Sequence, residues 1–467
     1  MEEIHCEVLV VGGGPGGYVA AIRAGQAGLD TVLVEADRLG GTCLIRGCIP
    51  SKALIEAAGQ YARAVENASG KSPIGLVAGT PKLDYARTIA WKDGITDKLS
   101  KGVAGLLKAA GVRVITGWAV FENAKTCQVG DIRIQAENVI LANGSTSVAL
   151  PGLPFGGDIL SSTEALDLSD IPKRLAVIGA GYIGVELGTV FAKLGAQVTF
   201  IEAAPAILPG FDKALVAPVQ RRLKALGVRV HTNCLAMGFK SGKLTYKDKD
   251  GKGHSLSCDK VLVTVGRKPM TEGWGLETMG LDMAPDPVRG PFIRVDEKCA
   301  TPMRGVYAIG DLVGEPMLAH KASAQGEMVA EILAGHKQTF APAAIPAVCF
   351  SDPEIVSVGL SPAQAKESGI AFDEGKFRFA ANGRALSLGA DKDGGFVRVL
   401  ARKDTGLVIG IQAVGAHISE LAGEFALALE MCATLDDIAG TIHAHPTLGE
   451  AVMESAHSAL GHPLHSV

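Results

Sequence analysis

Residues 7–35, EVLVVGGGPGGYVAAIRAGQAGLDTVLVE, combine an apolar run, a glycine turn, an Ala-rich segment and a second apolar run. This order predicts a buried strand, a turn, a helix and the next parallel strand. In the turn, Gly12 permits a tight bend, Gly14 lets the backbone approach a pyrophosphate, and Gly17 allows close packing of helix on strand. Glu35 ends the second strand, near the position that binds a ribose hydroxyl. The alternative is a glycine-rich turn in an α/β protein that binds no nucleotide.

The same pattern returns in residues 175–202, LAVIGAGYIGVELGTVFAKLGAQVTFIE. Its glycines are Gly179, Gly181 and Gly184, and Glu202 again ends the second strand. A carboxylate at that position repels the 2′-phosphate of NADP, and residues 203–206 contain no arginine to receive one, which favours NAD. Two dinucleotide sites in one chain indicate hydride transfer between two cofactors.

The remainder of the chain divides at proline-containing stretches. A linker into the second unit is predicted at residues 151–154, a return linker near 268–269, and a third boundary at 342–346. Beyond that boundary, apolar β-rich stretches at 396–400 and 407–411 precede helical ones at 419–433 and 448–460, which predicts an α+β part. The predicted segments are therefore residues 1–150, 151–275, 276–345 and 346–467.

Composition excludes several classes of protein. The 467 residues are 47% hydrophobic and 20% charged, so the chain is not disordered. A formal net charge of −4 gives no reason to expect binding to nucleic acid or to an anionic membrane, and no apolar run approaches the roughly 20 residues of a membrane span. The acidic N-terminus does not resemble a secretory signal. We expect a cytoplasmic bacterial protein, with a processed mitochondrial matrix form as the alternative.

Two of the nine cysteines, Cys43 and Cys48, lie close together in GGTCLIRGCIPSK, residues 40–52. Cysteines at this spacing at the start of a helix can approach disulfide geometry, and a helix N-terminus favours a thiolate. A half zinc site or two unrelated core cysteines are the alternatives. Zinc would need a second ligand pair at matching spacing, and the sequence contains none.

Residues 40–52 resemble the redox-active segment of the pyridine nucleotide–disulfide oxidoreductases, and residues 301–311 resemble the second flavin motif of that family. The resemblance covers essentially the whole chain. It implies an α/β fold with two Rossmann-like domains, which bind FAD (1–150) and NAD (151–275). A central domain (276–345) completes the FAD site, and a C-terminal α+β domain (346–467) forms a homodimer.

The resemblance also implies which residues bind the cofactors. Those implied for FAD are Gly12, Gly14, Gly17, Glu35, Gly41, Thr42, Lys52, Gly117, Gly144, Asp311 and Ala319. Those implied for NAD are Gly179, Gly181, Gly184, Glu186, Glu202 and Gly266. No metal site is expected.

Residues 443–450, HAHPTLGE, match the family's His-Pro-Thr-x-x-Glu pattern. The resemblance makes His445 the acid–base and Glu450 the carboxylate that orients it, acting on the Cys43–Cys48 disulfide of the other subunit. Cys43 is then the exchange cysteine, and Cys48 lies nearer the flavin. His443 has no role in the pattern and is interpreted as structural.

Among the family's branches, the chain resembles the one that oxidises protein-bound dihydrolipoamide to lipoamide and reduces NAD. It lacks the arginines for NADP of glutathione reductases and the extra C-terminal Cys pair of mercuric reductases. The implied partners are the lipoyl domains and acyltransferase core of a 2-oxoacid dehydrogenase complex. The alternatives are another NAD(P)H-dependent disulfide or metal-ion reductase and a docking, non-catalytic subunit. Ile45 and Asn143 depart from the family's usual Asn and Thr, which puts fine redox tuning in question.

Overall fold

The computed structural model describes residues 2–70, 72–392 and 394–465. Its first part is a mixed sheet in the order β3-β2-β1-β6-β5-β4, in which β1, β2, β3 and β6 are parallel. The strands are β1 (Glu2–Val11), β2 (Thr31–Glu35), β3 (Arg113–Thr116), β4 (Ala119–Asn123), β5 (Thr126–Val129) and β6 (Ile132–Leu141). The helices are α1 (Pro15–Gln26), α2 (Gly41–Arg46), α3 (Cys48–Ala68) and α4 (Tyr85–Ala109).

The second part begins with β7 (Ser145–Ser147) and contains a parallel five-stranded sheet in the order β11-β10-β9-β15-β8. These strands are β8 (Ile159–Leu160), β9 (Arg174–Ile178), β10 (Gln197–Ile201), β11 (Arg229–His231) and β15 (Lys260–Val263). The antiparallel strands β12 (Leu235–Lys240), β13 (Lys243–Lys247) and β14 (Gly253–Ser257) form a separate small sheet. The helices are α5 (Ser162–Leu166), α6 (Tyr182–Lys193) and α7 (Lys213–Ala225).

A two-stranded ribbon joins these two parts. Strand β16 (Arg267–Pro269) pairs antiparallel with β7, so the predicted return linker at 268–269 is a hydrogen-bonded strand beside the outgoing one. Trp274, which the predicted boundary at 275 assigns to the second segment, packs against Phe121 in the core of the first sheet. The chain has therefore reached the core of the first part by Trp274, shortly after the return linker predicted at 268–269.

The third stretch builds onto the first sheet. It comprises β17 (Met283–Ala284), β18 (Phe292–Ile293), β19 (Val306–Ala308) and α8 (Ala319–Leu333). Strand β19 pairs with β6, and α8 packs on α1. Gly326 makes this helix contact close, since a Cβ there would stand 2.3 Å from the carbonyl oxygen of Gly16. Residues 276–333 thus share the core of the first part and close one side of its glycine turn.

The C-terminal part is an antiparallel sheet, β20-β21-β24-β23-β22, covered by helices. Its strands are β20 (Ala347–Cys349), β21 (Glu354–Gly359), β22 (Phe372–Arg378), β23 (Phe396–Arg402) and β24 (Val408–Gly415). Its helices are α9 (Pro362–Glu367), α10 (Gly383–Ser387), α11 (Ala422–Glu430), α12 (Leu435–Gly440) and α13 (Glu450–Ala459). The predicted α/β class with a C-terminal α+β part is confirmed. Within the described residues, no helix has both the length and the apolar character needed to cross a membrane.

Both glycine turns are built from the same close contacts. Gly12 and Gly179 have φ of +104° and +89°, which favours glycine. A Cβ on Gly17 would lie 1.7 Å from the carbonyl oxygen of Gly12, and one on Gly184 would lie 2.2 Å from that of Gly179. The third glycine of each motif therefore allows the helix to begin directly against the strand end.

Candidate active site

A cavity of about 350 Å³ lies where the first glycine turn, the starts of α2, α3 and α6, and the loop before α8 meet. This volume is within the usual range of ligand pockets. Ten of the eleven residues expected to bind FAD line it, and Gly17 packs beneath the turn instead. The ten are Gly12, Gly14, Glu35, Gly41, Thr42, Lys52, Gly117, Gly144, Asp311 and Ala319.

One end of the cavity suits a nucleotide. Helix α1 begins at Pro15 without a side-chain cap, which leaves N–H groups of its first turn free for phosphate oxygens. Glu35 accepts hydrogen bonds from the N–H groups of Gly13 (2.6 Å) and Asp37 (2.8 Å), so its carboxylate is held at the strand end. Burial raises the pKa of Glu35, and the Gly13 hydrogen bond opposes that rise.

The other end holds Asp311, whose carboxylate accepts a hydrogen bond from the Ser145 hydroxyl at 2.5 Å. Between the two ends, Gly41 has φ of +57°, and a Cβ on it would stand 2.5 Å from the Cα of Gly14. The two loops thus meet backbone to backbone and leave room for an extended ligand. A helix N-terminus, a ribose-binding carboxylate and a distal aspartate together fit FAD.

Cys43 and Cys48 both line this cavity. They are free thiols in this structure, so their disulfide stays a prediction. The Cys43 thiol donates a hydrogen bond to Cys48, which together with Lys52 lowers the pKa of Cys48 to about 7 against the effect of burial. The same hydrogen bond raises the pKa of Cys43. Of the two thiols, Cys48 is the one held ready as a thiolate.

Lys52 connects the cysteine helix to the second dinucleotide unit. Its Nζ lies 2.8 Å from Oε2 of Glu186, whose side chain is only 5% exposed. The other oxygen of Glu186 accepts the N–H of Phe350 at 2.9 Å, and the Phe350 ring lies 4.3 Å from the Lys52 ammonium. Three parts of the chain therefore meet at one ion pair beside the cysteines.

The second dinucleotide unit repeats the geometry of the first. Glu202 is buried and accepts hydrogen bonds from the N–H groups of Ala180 and Ala204. Glu35 accepts two backbone N–H groups in the same way in the first unit. Gly181 precedes α6, whose N-terminus again has no side-chain cap. Gly266 follows the end of β15, on the same sheet edge as Gly179. Glu186 alone of the six residues expected to bind NAD also lines the flavin cavity.

His445 and Glu450 form a close pair in the C-terminal part. Nδ1 of His445 lies 2.8 Å from Oε1 of Glu450, and the other carboxylate oxygen accepts the N–H of Thr447 at 2.7 Å. Burial tends to raise the pKa of Glu450, but the Thr447 N–H and the His445 side chain outweigh it, so this pKa lies below its ordinary value.

A single chain does not bring this pair to the cysteines. The His445 side chain is 79% exposed, and His445 is not among the described residues that line the cavity. Large apolar side chains of the same part also face outward: Ile442, three residues before His445, is 96% exposed, and Leu427 and Met431, in and just after α11, are largely exposed. This surface lacks cover within one chain.

The structure adds residues that the sequence interpretation did not single out. Arg267 lies in the cavity wall and donates to the hydroxyl of Ser145, next to Asp311. Burial lowers the pKa of Arg267, and the Asp311 carboxylate opposes this effect. Phe350 and Ser145 were missed as well. Arg267 directly follows Gly266, but nothing in the sequence distinguishes it from surface arginines.

The two departures from the family pattern lie at this site. Ile45 packs in the apolar cluster beneath the first sheet, beside Leu44. Asn143 lines the cavity, and its buried Oδ1 has no hydrogen-bond partner among the described residues.

Comparison with known proteins gives matches along nearly the whole chain. Residues 6–326 match the family model described as pyridine nucleotide-disulphide oxidoreductase, and residues 345–456 match the dimerisation domain of that family. The chain is 56% identical to a dihydrolipoyl dehydrogenase of Pseudomonas aeruginosa, with 99% of each chain covered. It is 48% identical to that of Geobacillus stearothermophilus, covering 99% of this chain and 98% of the relative.

Solved structures show the same fold. LpdA from Mycobacterium tuberculosis superposes with a TM-score of 0.86 at 26% identity, covering 98% of this chain and 99% of that one. The HOCl-induced flavoprotein disulfide reductase RclA from Escherichia coli superposes with a TM-score of 0.84 at 24% identity, covering 96% and 99%.

Proposed function

Because the chain belongs to the pyridine nucleotide–disulphide oxidoreductases, we propose that it acts as a dihydrolipoyl dehydrogenase with FAD and NAD as cofactors. It oxidises dihydrolipoamide to lipoamide and reduces NAD to NADH. The observation that carries this proposal is that Cys43, Cys48 and Lys52 all line one dinucleotide cavity. Full-length identity of 56% and 48% to dihydrolipoyl dehydrogenases supports the choice of substrate.

The chain's own groups account for the exchange of thiols and disulfide. His445 takes a proton from one thiol of dihydrolipoamide, and the thiolate attacks Sγ of Cys43, breaking the Cys43–Cys48 bond. The second substrate thiol then attacks the mixed disulfide, which releases lipoamide and leaves Cys43 as a thiol and Cys48 as a thiolate. The cavity between Gly12 and Asp311 would hold FAD, which would supply a two-electron acceptor for the thiol pair, so that the Cys43–Cys48 bond re-forms, and a hydride donor for NAD.

The pKa pattern of the two cysteines supports these roles. Cys48 keeps a thiolate near neutral pH because Cys43 donates a hydrogen bond and Lys52 supplies a positive charge. Cys43, with its raised pKa, holds a proton once the substrate has left. The negative charge therefore rests on Cys48, the cysteine assigned to the flavin side.

The working unit is a homodimer, as the match to the family's dimerisation domain supports. The exposed His445–Glu450 pair and the apolar residues around Ile442 form the surface that pairs with a second chain. His445 of one chain then serves the cysteines of the other. This arrangement explains why a histidine with a carboxylate partner stands open to solution in one chain.

On the NAD side, Glu202 binds the ribose hydroxyls, and the turn from Gly179 to Gly184 receives the pyrophosphate. The Glu202 carboxylate accepts hydrogen bonds from two backbone N–H groups, which hold it in place. Its negative charge suits it to accept hydrogen bonds from ribose hydroxyls and to repel a 2′-phosphate. We propose that the enzyme acts in the cytoplasm. Its proposed partners are the lipoyl domains and the acyltransferase core of a 2-oxoacid dehydrogenase complex.

Turnover of the purified flavoprotein tests the proposal. We expect rapid NAD reduction with dihydrolipoamide and little oxidation of NADPH with oxidised glutathione. Cys48→Ser serves as the control, because it removes the disulfide and should abolish dihydrolipoamide oxidation while the dinucleotide cavity remains. Efficient glutathione reduction without dihydrolipoamide turnover would show instead another disulfide reductase of the same family.

A further inference from the structure

The ribbon between the two dinucleotide units carries polar side chains to the flavin cavity. Strand β16 pairs antiparallel with β7, and Arg267 lies opposite Ser147. Side chains alternate between the two faces of a ribbon, so Arg267 shares one face with Ser147 and Ser145, and a long side chain reaches its diagonal neighbour. Lys268, the next residue, lies on the opposite face and is 46% exposed. The pairing therefore directs Arg267 toward Ser145 and Lys268 toward solvent.

The Arg267 guanidinium makes its short hydrogen bonds with Ser145. Its Nε donates to the Ser145 hydroxyl oxygen at 2.7 Å, and Nη2 donates to the Ser145 carbonyl oxygen at 2.5 Å. A longer hydrogen bond of 3.4 Å runs from Nη1 to the hydroxyl oxygen of Ser147. Arg267 and Ser145 both line the flavin cavity, and Ser145 is buried. The fixed end of this contact is thus a serine hydroxyl in the cavity wall.

The direction of the hydrogen bonds at Ser145 follows from the groups involved. A guanidinium only donates, an ionised carboxylate only accepts, and a serine hydroxyl has a single proton. The Ser145 oxygen accepts from Arg267, so its proton is directed to Oδ2 of Asp311, which lies 2.5 Å away. Within the described residues, the other carboxylate oxygen, Oδ1 of Asp311, makes no hydrogen bond. One oxygen of Asp311 is therefore held, and the other is left for a ligand.

These three residues come from separate segments of the chain. Ser145 begins β7, and Asp311 follows β19, which pairs with β6 of the first sheet. Arg267 begins β16, the strand that leaves the second dinucleotide unit directly after Gly266. Arg267 is thus the side chain by which the second unit reaches the aspartate of the flavin cavity.

We propose that Arg267 is a positioning residue for FAD that acts through Ser145. Together the two side chains hold the Asp311 carboxylate by one oxygen and leave the other free to accept a hydrogen bond from a hydroxyl of the flavin chain. A carboxylate that is already oriented loses less freedom when the ligand binds, which strengthens binding. This inference rests on FAD as the cofactor of the proposed function. It extends the flavin site to the strand that returns from the second unit.

The test is the rate at which FAD leaves the holoenzyme after dilution, followed by the fluorescence of free flavin. Far-UV circular dichroism over the same time course shows whether the chain stays folded. Ser145→Ala removes the hydroxyl that links Arg267 to Asp311, and Ser147→Ala is its matched control, because it removes only the 3.4 Å bond to the same guanidinium. Arg267→Met is compared in the same way with Lys268→Met, which removes the cation on the other face of the strand.

Ser145→Ala and Arg267→Met should each release FAD about tenfold faster than the wild type while folded, the low end for a lost hydrogen bond to a charged group. Ser147→Ala and Lys268→Met should release FAD at the wild-type rate. Because Arg267 acts through Ser145, the double variant should release FAD about as fast as the faster single variant. If Arg267→Met does not fold, the comparison of Ser145→Ala with Ser147→Ala decides.

Three results would overturn the proposal: wild-type release from Ser145→Ala, equal acceleration in Ser145→Ala and Ser147→Ala, or loss of FAD from Ser145→Ala only together with its secondary structure. Additive effects in the double variant would also overturn it, since they would show that Arg267 acts independently of Ser145. The release rate is measured without substrate. A wild type that retains FAD but does not oxidise dihydrolipoamide would therefore contradict the proposed function alone, and the role of Arg267 would still be decided.

Discussion

Replacing Lys52 with methionine should raise the pKa of Cys48 in the reduced enzyme. Lys52 and the Cys43 hydrogen bond both lower this pKa to about 7, while burial and Glu186 oppose them. An opposite charge within a few ångströms is worth about 1–3 pKa units, and the Cys43 hydrogen bond remains in the variant. We therefore expect the midpoint to rise by about 1–2 units.

The assay is alkylation of the reduced enzyme across pH, with the modified cysteine identified by peptide mass spectrometry. The midpoint is a better readout than the rate at one pH. At pH 7, a rise of about 1–2 units cuts the thiolate fraction roughly 5- to 50-fold, but a more basic thiolate is also more nucleophilic, which offsets part of that loss. FAD is bound in the wild type and in the variant alike, so the difference between their midpoints reports the loss of Lys52.

Glu186→Gln provides the opposite test. Glu186 raises the pKa of Cys48, so its neutral replacement should move the midpoint downward. Lys52→Met also leaves the Glu186 carboxylate, which is 5% exposed, without its ion-pair partner. We expect this change to lower the free energy of unfolding by about 3 kcal/mol, the low end of the range for a broken buried ion pair. The double variant should recover most of that stability. A midpoint for Cys48 that stays near 7 in Lys52→Met, or that moves the same way in both single variants, would refute the electrostatic reasoning.

Three further predictions concern the reaction. His445→Gln should lower dihydrolipoamide oxidation by about 10²–10⁴-fold, while NADH oxidation with a small artificial acceptor persists; equal loss of both activities would remove His445 from the mechanism. The wild type should prefer NAD to NADP by roughly 30- to 150-fold in kcat/KM, equivalent to ~2–3 kcal/mol, and Glu202→Ala should reduce that preference; similar wild-type efficiencies with both cofactors would contradict the role of Glu202. In the oxidised enzyme Cys43 and Cys48 should resist alkylation until a reductant is added, whereas free labelling of Cys43 would disprove their disulfide.

The features that could be predicted from sequence depend on contacts between near neighbours in the chain. The glycine turns are an example, because Gly12 needs a left-handed φ and Gly17 needs the space that a Cβ would fill against Gly12 itself. The spacing of Cys43 and Cys48 likewise keeps the two thiols near each other along the chain, with Cys43 in the short helix α2 and Cys48 at the first residue of α3. Such constraints act within a few residues, so they leave a pattern that is visible without the fold.

The contacts between distant residues could not be predicted in this way. Ser145 meets Arg267 because β16 returns beside β7, and it lies near Asp311 because β19 pairs with β6. Nothing in these residues' local sequence specifies either pairing. The position of Trp274 likewise depends on its contact with the Phe121 ring, which is distant in the chain.

The sequence by itself determined the chemistry: two dinucleotide turns, a cysteine pair, and a histidine with a carboxylate five residues later. The tertiary structure decided where that chemistry meets. It places His445 on an exposed surface, outside the cavity that the cysteines of its own chain line, and it pairs His443 with Glu424 beside Gly449. The physical reason is that side-chain type and spacing set local geometry, whereas the position of His445 relative to the cysteines depends on the packing of the whole domain.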